Sequence, residues 1–309
     1  MTRNKFTVTV AVCALNEEDN IKNFLDSIVA QKQDKYTIKK ILVISDGSTD
    51  RTVEEIKKVK SKVLVLKDYK DRKGKSFRLN EIYTSIKTDF LVLSDADVIF
   101  KVPDTIKHLI QPLIDDTRKE VGLVGGEPFP LKPTTFIERS IKYTLDVYIP
   151  IRNQLRGGDN VLSATGRIMA LRRELANKIV TPAETISNDG FAYFSCLTKG
   201  YKYKHASKAI AYFRSPTDLN DQIKQNTRFM ATQERLAMYF PKELIDREYY
   251  IPKGILLKNM LVEFIKHPIE SLFIFIINRY CELNAWILKT RINAIWDLVY
   301  TTKKLKNNK

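Results

Sequence analysis

The sequence predicts an α/β protein: a mostly parallel sheet with helices packed on both faces. In the first hundred residues, short apolar, β-branched runs alternate with segments whose apolar residues recur at helical spacing. Three of these runs end in polar clusters: Asn16-Glu17, Asp46-Gly47-Ser48 and Asp95-Ala96-Asp97. Ligands of parallel sheets bind beyond the carboxyl ends of the strands, so the three clusters are predicted to meet along one edge. A glycine-rich dinucleotide fingerprint is missing after the first run, and no Walker A lysine follows any of them.

Phe6 to Leu15 reads as the first strand and breaks at Asn16-Glu17-Glu18-Asp19-Asn20. The helix after it carries Ile21, Phe24, Leu25, Ile28 and Val29 on one side, with Asn16 or Asp19 as its predicted cap and acids in its first turn. Lys40 to Ile44 is the second strand, and Val53, Ile56 and Val59 mark the helix behind it. Val63 to Leu66 is the third. The basic loop Asp71-Arg72-Lys73-Gly74-Lys75 then opens a helix carrying Leu79, Ile82 and Ile86.

The fourth run, beginning at Phe90-Leu91-Val92-Leu93-Ser94, delivers Asp95 and Asp97 at its end. Residues two apart on a strand share a face, so the two carboxylates are predicted to converge on one cation. Hard oxygen ligands suit Mg²⁺ or Mn²⁺, which bind through one or two carboxylates together with substrate phosphates. Taken alone, the same tripeptide serves equally well to end a buried strand and solvate a turn.

Beyond residue 100 the rhythm weakens. Val121 to Glu127 reads as a strand, Phe136 to Tyr148 as a helix with Ile137, Ile141, Leu145 and Tyr148 on one side, and Gly157 to Asn160 as a loop. Leu162 to Glu174 is a strand with a basic turn, Ala209 to Pro216 the end of another, and Asp221 to Phe240 a helix. Asp189 opens a further apolar helix that stops at Lys199-Gly200, where an acid also has the ordinary role of a cap.

Composition narrows the function. With 44% hydrophobic residues the chain can fill a core, and three well-separated cysteines with three histidines argue against a disulfide framework or a zinc cluster. The net charge of +16 calls for an anionic partner, yet no reading helix, finger or aromatic-basic sheet motif is present, so nucleic acid is not expected. Met1 to Lys5 runs straight into the first strand, so no signal peptide is expected.

The ordered segments Ala14-Leu15-Asn16-Glu17-Glu18, Ser45 to Asp50, Lys73 to Asn80 and Asp95-Ala96-Asp97 resemble the motifs of family-2 glycosyltransferases with the GT-A fold. The similarity extends over about residues 6 to 235. It implies a nucleotide site at Ala14, Asn16, Glu17, Asp46, Gly47, Ser48, Lys75 and Asp95, with Asp46 on the base, Lys75 near the diphosphate and Asp95 on the ribose. It implies Asp97, with Asp95, on a Mg²⁺ or Mn²⁺ ion, and Asp189 as the catalytic base. Asn188 stands where the family has a second acid, and no histidine near Phe213 offers a further metal ligand. Gln225-Asn226-Thr227-Arg228-Phe229 resembles the Gln-x-x-Arg-Trp motif of the cellulose, chitin and hyaluronan synthase branch. Gln225, Arg228 and Phe229 are thereby implied near acceptor and diphosphate, Phe229 as a stacking platform.

The expected organisation is a catalytic domain over 1–235, with a nucleotide-sugar half to residue 100 and an acceptor half from 101, followed by a basic helical extension over 236–309. A membrane-spanning helix takes about 20 apolar residues. The longest uncharged run here, Ser271 to Asn278, has eight. With Lys289, Arg291, Lys303, Lys304, Lys306 and Lys309 nearby, the extension reads either as helices lying on an anionic membrane or as a cap packed on the domain.

The resemblance implies an inverting transferase that moves a sugar from a nucleotide-diphosphate donor, most simply a UDP-sugar, to a glycan or polyprenyl-linked acceptor. One or a few sugars are expected per acceptor, at the inner face of the cell membrane. Two other classes share parts of this pattern. A sugar-phosphate nucleotidyltransferase would also pair an α/β sheet with acids, but usually with a glycine- and arginine-rich N-terminal phosphate loop. A non-catalytic basic protein binding membrane or RNA would show salt-sensitive binding without turnover.

Overall fold

The computed structural model describes residues 5–287 and 301–303. Its strands are β1 (Phe6–Ala14), β2 (Tyr36–Asp46), β3 (Leu64–Tyr69), β4 (Phe90–Ser94), β5 (Val98–Phe100), β6 (Val121–Pro130), β7 (Met169–Arg172) and β8 (Lys202–Phe213). Among the described residues they form one sheet in the order β3-β2-β1-β4-β7-β6-β8-β5. β1 to β4 pair in parallel, β7 runs antiparallel to both β4 and β6, and β8 is parallel to β6 and antiparallel to β5. The carboxyl ends of β1, β2, β4, β6 and β8 therefore face the same way, and the chain entering β7 arrives at that edge. This geometry gathers the site.

The helices are α1 (Ile21–Val29), α2 (Thr52–Lys57), α3 (Lys75–Ser85), α4 (Thr105–Asp115), α5 (Phe136–Gln154), α6 (Arg173–Ala176), α7 (Asn188–Thr198), α8 (Leu219–Leu236), α9 (Lys242–Tyr249), α10 (Lys253–Lys266) and α11 (Pro268–Ile287). Strand residues alternate between two cores. Val8, Val10 and Val12 pack with Ile21, Phe24 and Leu25 of α1 and Ile106 and Leu109 of α4. Ala11, Leu42, Ile44, Leu91 and Leu93 face Leu79 and Ile82 of α3 and Phe191 and Phe194 of α7. Burial on both faces is why these strands read as nearly continuous apolar runs. Each buried Ile, Leu or Phe contributes about 1.5–3 kcal/mol.

Several local expectations differ. The N-cap of α1 is Asn20, which makes no side-chain cap bond, and the helix has no acid in its first turn. Asn16 lies outside the helix at φ 53° and is occupied elsewhere. The first acid expected to share a strand face with its partner falls beyond β4, which ends at Ser94, and the second lies in the turn before β5. Along α5 the buried side is Ser140, Tyr143, Val147 and Ile151, while Leu145 and Tyr148 line the cavity described below. The strand read from Leu162 begins only at Met169, after a 3-10 turn at Val161–Ser163 and an irregular stretch.

The helices after residue 241 pack on the domain. Ile274 of α11 joins Tyr143, Val147 and Ile151 of α5, with Ile255, Leu256 and Met260 of α10 against the same cluster. Asn226 of α8 donates to Asn278 Oδ1 of α11 at 2.7 Å. Thr301 donates to Asp221 Oδ2 through both its N–H and its hydroxyl, each at 2.9 Å. Among the described residues no helix is long and apolar enough to cross a membrane. Lys289, Arg291, Lys304, Lys306 and Lys309, and the side chain of Lys303, lie outside the described residues.

Candidate active site

A cavity of about 770 Å³ runs along the convergent strand edge. Ala14, Glu17, Asp46, Lys75, Asp95, Asp97, Asp189, Gln225, Arg228 and Phe229 all line it. They arrive from the ends of β1, β2 and β4 and from α3, α7 and α8, so sequence-distant groups share one space. Asn16, Gly47 and Ser48 do not line it. Asn16 Oδ1 accepts from the Thr49 N–H at 2.8 Å, and its own N–H donates to Ser48 Oγ at 3.2 Å, tying the loop after β1 to the loop after β2. Gly47 turns the chain at φ 78°, where an added Cβ would come within 3.1 Å of the Arg72 backbone nitrogen.

Asp46 is 4% exposed and heavily bonded. Oδ1 accepts from Arg78 Nε at 2.7 Å and from the Lys73 N–H at 3.0 Å, and Oδ2 accepts from the Gly74 N–H at 2.8 Å. Arg78 in turn donates to the Asp71 carbonyl at 2.8 Å and stacks 3.8 Å from the Tyr69 ring centroid. The pair binds the end of β2 to the start of α3 and fixes the basic loop over the cavity. Arg78 escapes a motif reading because it sits mid-helix among apolar positions, where only the pairing gives it a purpose.

Lys75, the first residue of α3, forms an ion pair with Asp95. Burial works against the lysine's charge, but the Asp95 carboxylate outweighs it and raises the Lys75 pKa. Burial likewise pushes Asp95 up, while Lys75, Arg167 and Arg228 hold it below the ordinary carboxylate value. Cys13, at the end of β1, is pushed to about 12 chiefly by burial, so it stays a thiol. Among the described residues no cluster of three His, Cys, Asp or Glu side chains is placed to hold a metal.

Asp189 lies in the first turn of α7, whose N-cap is Ser187. Its Oδ1 accepts from Ser187 Oγ at 2.6 Å and its Oδ2 from the Gly166 N–H at 3.1 Å. Ser187 Oγ caps the helix by accepting from the Gly190 N–H at 3.2 Å, and Asp189 Oδ1 accepts from the same N–H at 2.9 Å, so the aspartate shares the cap while lining the cavity. Gly166 also lies against Asp95 and Lys75, with an added Cβ 3.6 Å from either Asp95 oxygen. The irregular stretch before β7 thus bonds to Asp189 and passes close to Asp95. Asn188 Oδ1 accepts from Ser76 Oγ at 2.9 Å, while its buried Nδ2 has no hydrogen-bond partner among the described residues.

On α8, burial lowers the Arg228 pKa and Asp189, Asp95 and Asp97 counteract it, with Arg167 opposing them. The Arg228 guanidinium lies 5.6 Å from the Phe229 ring centroid. Phe229 is 51% exposed. Tyr148, Ile149, Leu162, Ile251 and Met230 give the cavity an apolar flank beside the acids and cations. The residues passed over in the sequence are Arg78 and Arg167, neither of which stands out at its position by type or spacing.

The fold and the sequence are both similar to those of known proteins. The structure is similar to a mannosyltransferase of Pyrobaculum calidifontis solved with GDP-Man and Mn²⁺, at TM-score 0.58 and 16% identity over 99% of this chain and 89% of that one. TarS 1-349 of S. aureus gives 0.53 and 16% over 84% and 72%. Glucosyl-3-phosphoglycerate synthase of Mycobacterium tuberculosis, solved with Mn²⁺, UDP and phosphoglyceric acid, gives 0.51 and 20% over 76% and 80%. These likenesses place the fold with the GT-A glycosyltransferases. In sequence, poly-beta-1,6-N-acetyl-D-glucosamine synthase of Staphylococcus aureus is 25% identical over 226 residues, 72% of this chain and 53% of that protein. The Staphylococcus epidermidis synthase is 24% identical over 230 residues. The chain therefore spans about half the length of the curated relatives it matches. Residues 5–232 match the pattern described as glycosyltransferase like family 2, and with most of its length inside that match the chain belongs to glycosyltransferase family 2.

Proposed function

We propose that this protein is an inverting glycosyltransferase, carrying a sugar from a nucleotide diphosphate, UDP first, to a hydroxyl of a lipid-linked or cell-surface glycan. The observation that carries it is the single cavity onto which Asp46, Lys75, Asp95, Asp97, Asp189 and Arg228 all open. The relatives named for a poly-N-acetylglucosamine synthase support an amino-sugar donor.

In this reading Asp46, held by Arg78 and the loop N–H groups, meets the base, and Asp95 meets the ribose. The acceptor hydroxyl attacks the anomeric carbon from the face opposite the diphosphate. Its proton passes to Asp189 as the new carbon–oxygen bond forms, and the bond to the diphosphate oxygen breaks with its electron pair. A carboxylate is far less basic than an alkoxide, so proton transfer accompanies attack. Lys75 and Arg228 stabilise the charge that grows on the leaving diphosphate, where stabilisation raises the rate. Asp97 and Asp95 would hold a Mg²⁺ or Mn²⁺ ion, for which carboxylate oxygens are suitable donors. When bound, such an ion adds Lewis-acid neutralisation of the leaving group.

The acceptor side of the reading rests on apolar surface. Leu257, Leu261, Ile265, Ile269, Leu272 and Trp286 are among the large apolar residues exposed on α10 and α11. Beside a net charge of +16, that surface suits an anionic membrane and an amphiphilic acceptor. On this view 1–235 is the catalytic domain and 236–309 its extension, peripheral on the inner face of the cell membrane.

The test is nucleotide release from UDP-, GDP- and dTDP-sugars with Mn²⁺ or Mg²⁺, with and without a polyprenyl-lipid fraction, comparing the protein with Asp189→Asn. Release from one donor, lost in the variant, is the expected result. Silence from every donor with folded protein and acceptor present overturns the proposal. Inorganic diphosphate formed from nucleoside triphosphate and sugar phosphate would turn it toward a nucleotidyltransferase.

A further inference from the structure

We infer that Arg167 is a diphosphate-binding residue of the donor site, able to supply positive charge there without a metal ion. The inference rests on the glycosyltransferase reading and deepens it. Ser94 Oγ donates to the Arg167 carbonyl at 2.6 Å, which pins Arg167 beside the turn carrying Asp95 and Asp97. Phe213, at the end of β8, pairs with Val98, the residue after Asp97. The Arg167 guanidinium lies 3.9 Å from the Phe213 ring centroid.

A guanidinium stacked on a ring uses its face and keeps its in-plane N–H groups for other partners. No carboxylate among the described residues forms an ion pair with Arg167, although Asp95, Asp97, Asp189 and Arg167 all line the same cavity. Arg228 shares that cavity, and the Arg167 charge is one of the influences on its pKa, after burial, Asp189 and Asp95. Two like-charged guanidinium groups on the wall of one cavity are relieved by an anion bound there. A diphosphate offers oxygens to both, in the fork geometry that suits arginine.

The metal side of the site is correspondingly thin. Lys75 already engages Asp95, and no third acid, histidine or cysteine completes a cluster among the described residues. A cation on Asp97 depends on phosphate and water for most of its shell, so fixed positive charge nearby has a task to fulfil. Arg167 supplies it at the turn itself.

The experiment is calorimetric titration of UDP and GDP into the protein in EDTA and in Mn²⁺, for the unmodified chain, Arg167→Ala and Arg167→Lys. The unmodified protein is expected to bind a nucleoside diphosphate in EDTA. Arg167→Ala should weaken that binding about tenfold or more, the loss expected of a charge-assisted hydrogen bond, and by less when Mn²⁺ is present. Arg167→Lys should recover part of the affinity. If Arg167→Ala fails to fold, Phe213→Leu removes the stacking face and should weaken metal-free binding in the same pattern. Unchanged metal-free affinity in the variants overturns the inference, as does binding by the unmodified protein only with Mn²⁺. A variant that loses acceptor affinity alone also overturns it, assigning Arg167 to an anionic acceptor. Absence of nucleotide binding under every condition would instead bring down the transferase reading itself.

Discussion

Removing the guanidinium from Arg78 should destabilise the protein by breaking a buried ion pair at the cavity edge. The Arg78 and Asp46 side chains are only 2% and 6% exposed, so Arg78→Met leaves a carboxylate without its charge partner in a site water barely reaches. Breaking a buried pair from one side costs about 3–5 kcal/mol. Asp46 keeps its two bonds from the Lys73 and Gly74 N–H groups, which puts the expected loss at the lower end, about 3 kcal/mol. Denaturant unfolding followed by circular dichroism measures it as a fall in midpoint at unchanged slope. The reasoning also requires coupling: with Asp46→Asn already in place, Arg78→Met should cost less, by about 0.5–3 kcal/mol. A loss below about 1 kcal/mol, or equal losses in both backgrounds, would refute the view that this pair is what holds the basic loop on the strand edge.

Other expectations follow from the same geometry. Asp189→Asn should lower kcat by about 10²–10⁴ while leaving donor affinity close to that of the unmodified protein, checked by initial rates and by titration of the nucleotide diphosphate. Lys75→Met should move the acid limb of nucleotide binding to higher pH. Asp95 is held low by Lys75, so its ionised form persists as pH falls until the depressed value is reached, and without the lysine burial pushes that value up. A pH series of binding affinities reads the shift, and an unmoved limb counts against the ion pair. Gly47→Ala should cost about 1–2 kcal/mol in thermal unfolding, because φ 78° disfavours any Cβ and Arg72 stands against it.

Much of the fold was legible because it is written in local pattern. Val8, Val10 and Val12 alternate with Ala11 along a run long enough to be buried on both faces, and α1 displays its apolar side at helical spacing. Ends were harder. Asp95 and Asp97 read as a strand continuation, but β4 closes at Ser94, whose hydroxyl is drawn to the carbonyl of Arg167 far along the chain. Asn16 looked like a helix cap, and its side chain instead holds a loop belonging to the next strand. On α5 the apolar spacing marked residues with different surroundings: Ile141 packs with the Tyr143, Val147 and Ile151 cluster, whereas Leu145 and Tyr148 line a cavity shared with residues of α8.

The sequence by itself determined the alternation of strands and helices, the family motifs and the acids at the strand ends, since each depends on residues close together in the chain. Only the tertiary structure decided what those acids face. That Arg78 holds Asp46, that Gly166 bonds to Asp189, and that Arg167 stacks on Phe213 at the strand end beside Asp97 are contacts between segments many residues apart. Their formation depends on the order and direction in which the strands pair, and no local pattern carries that information.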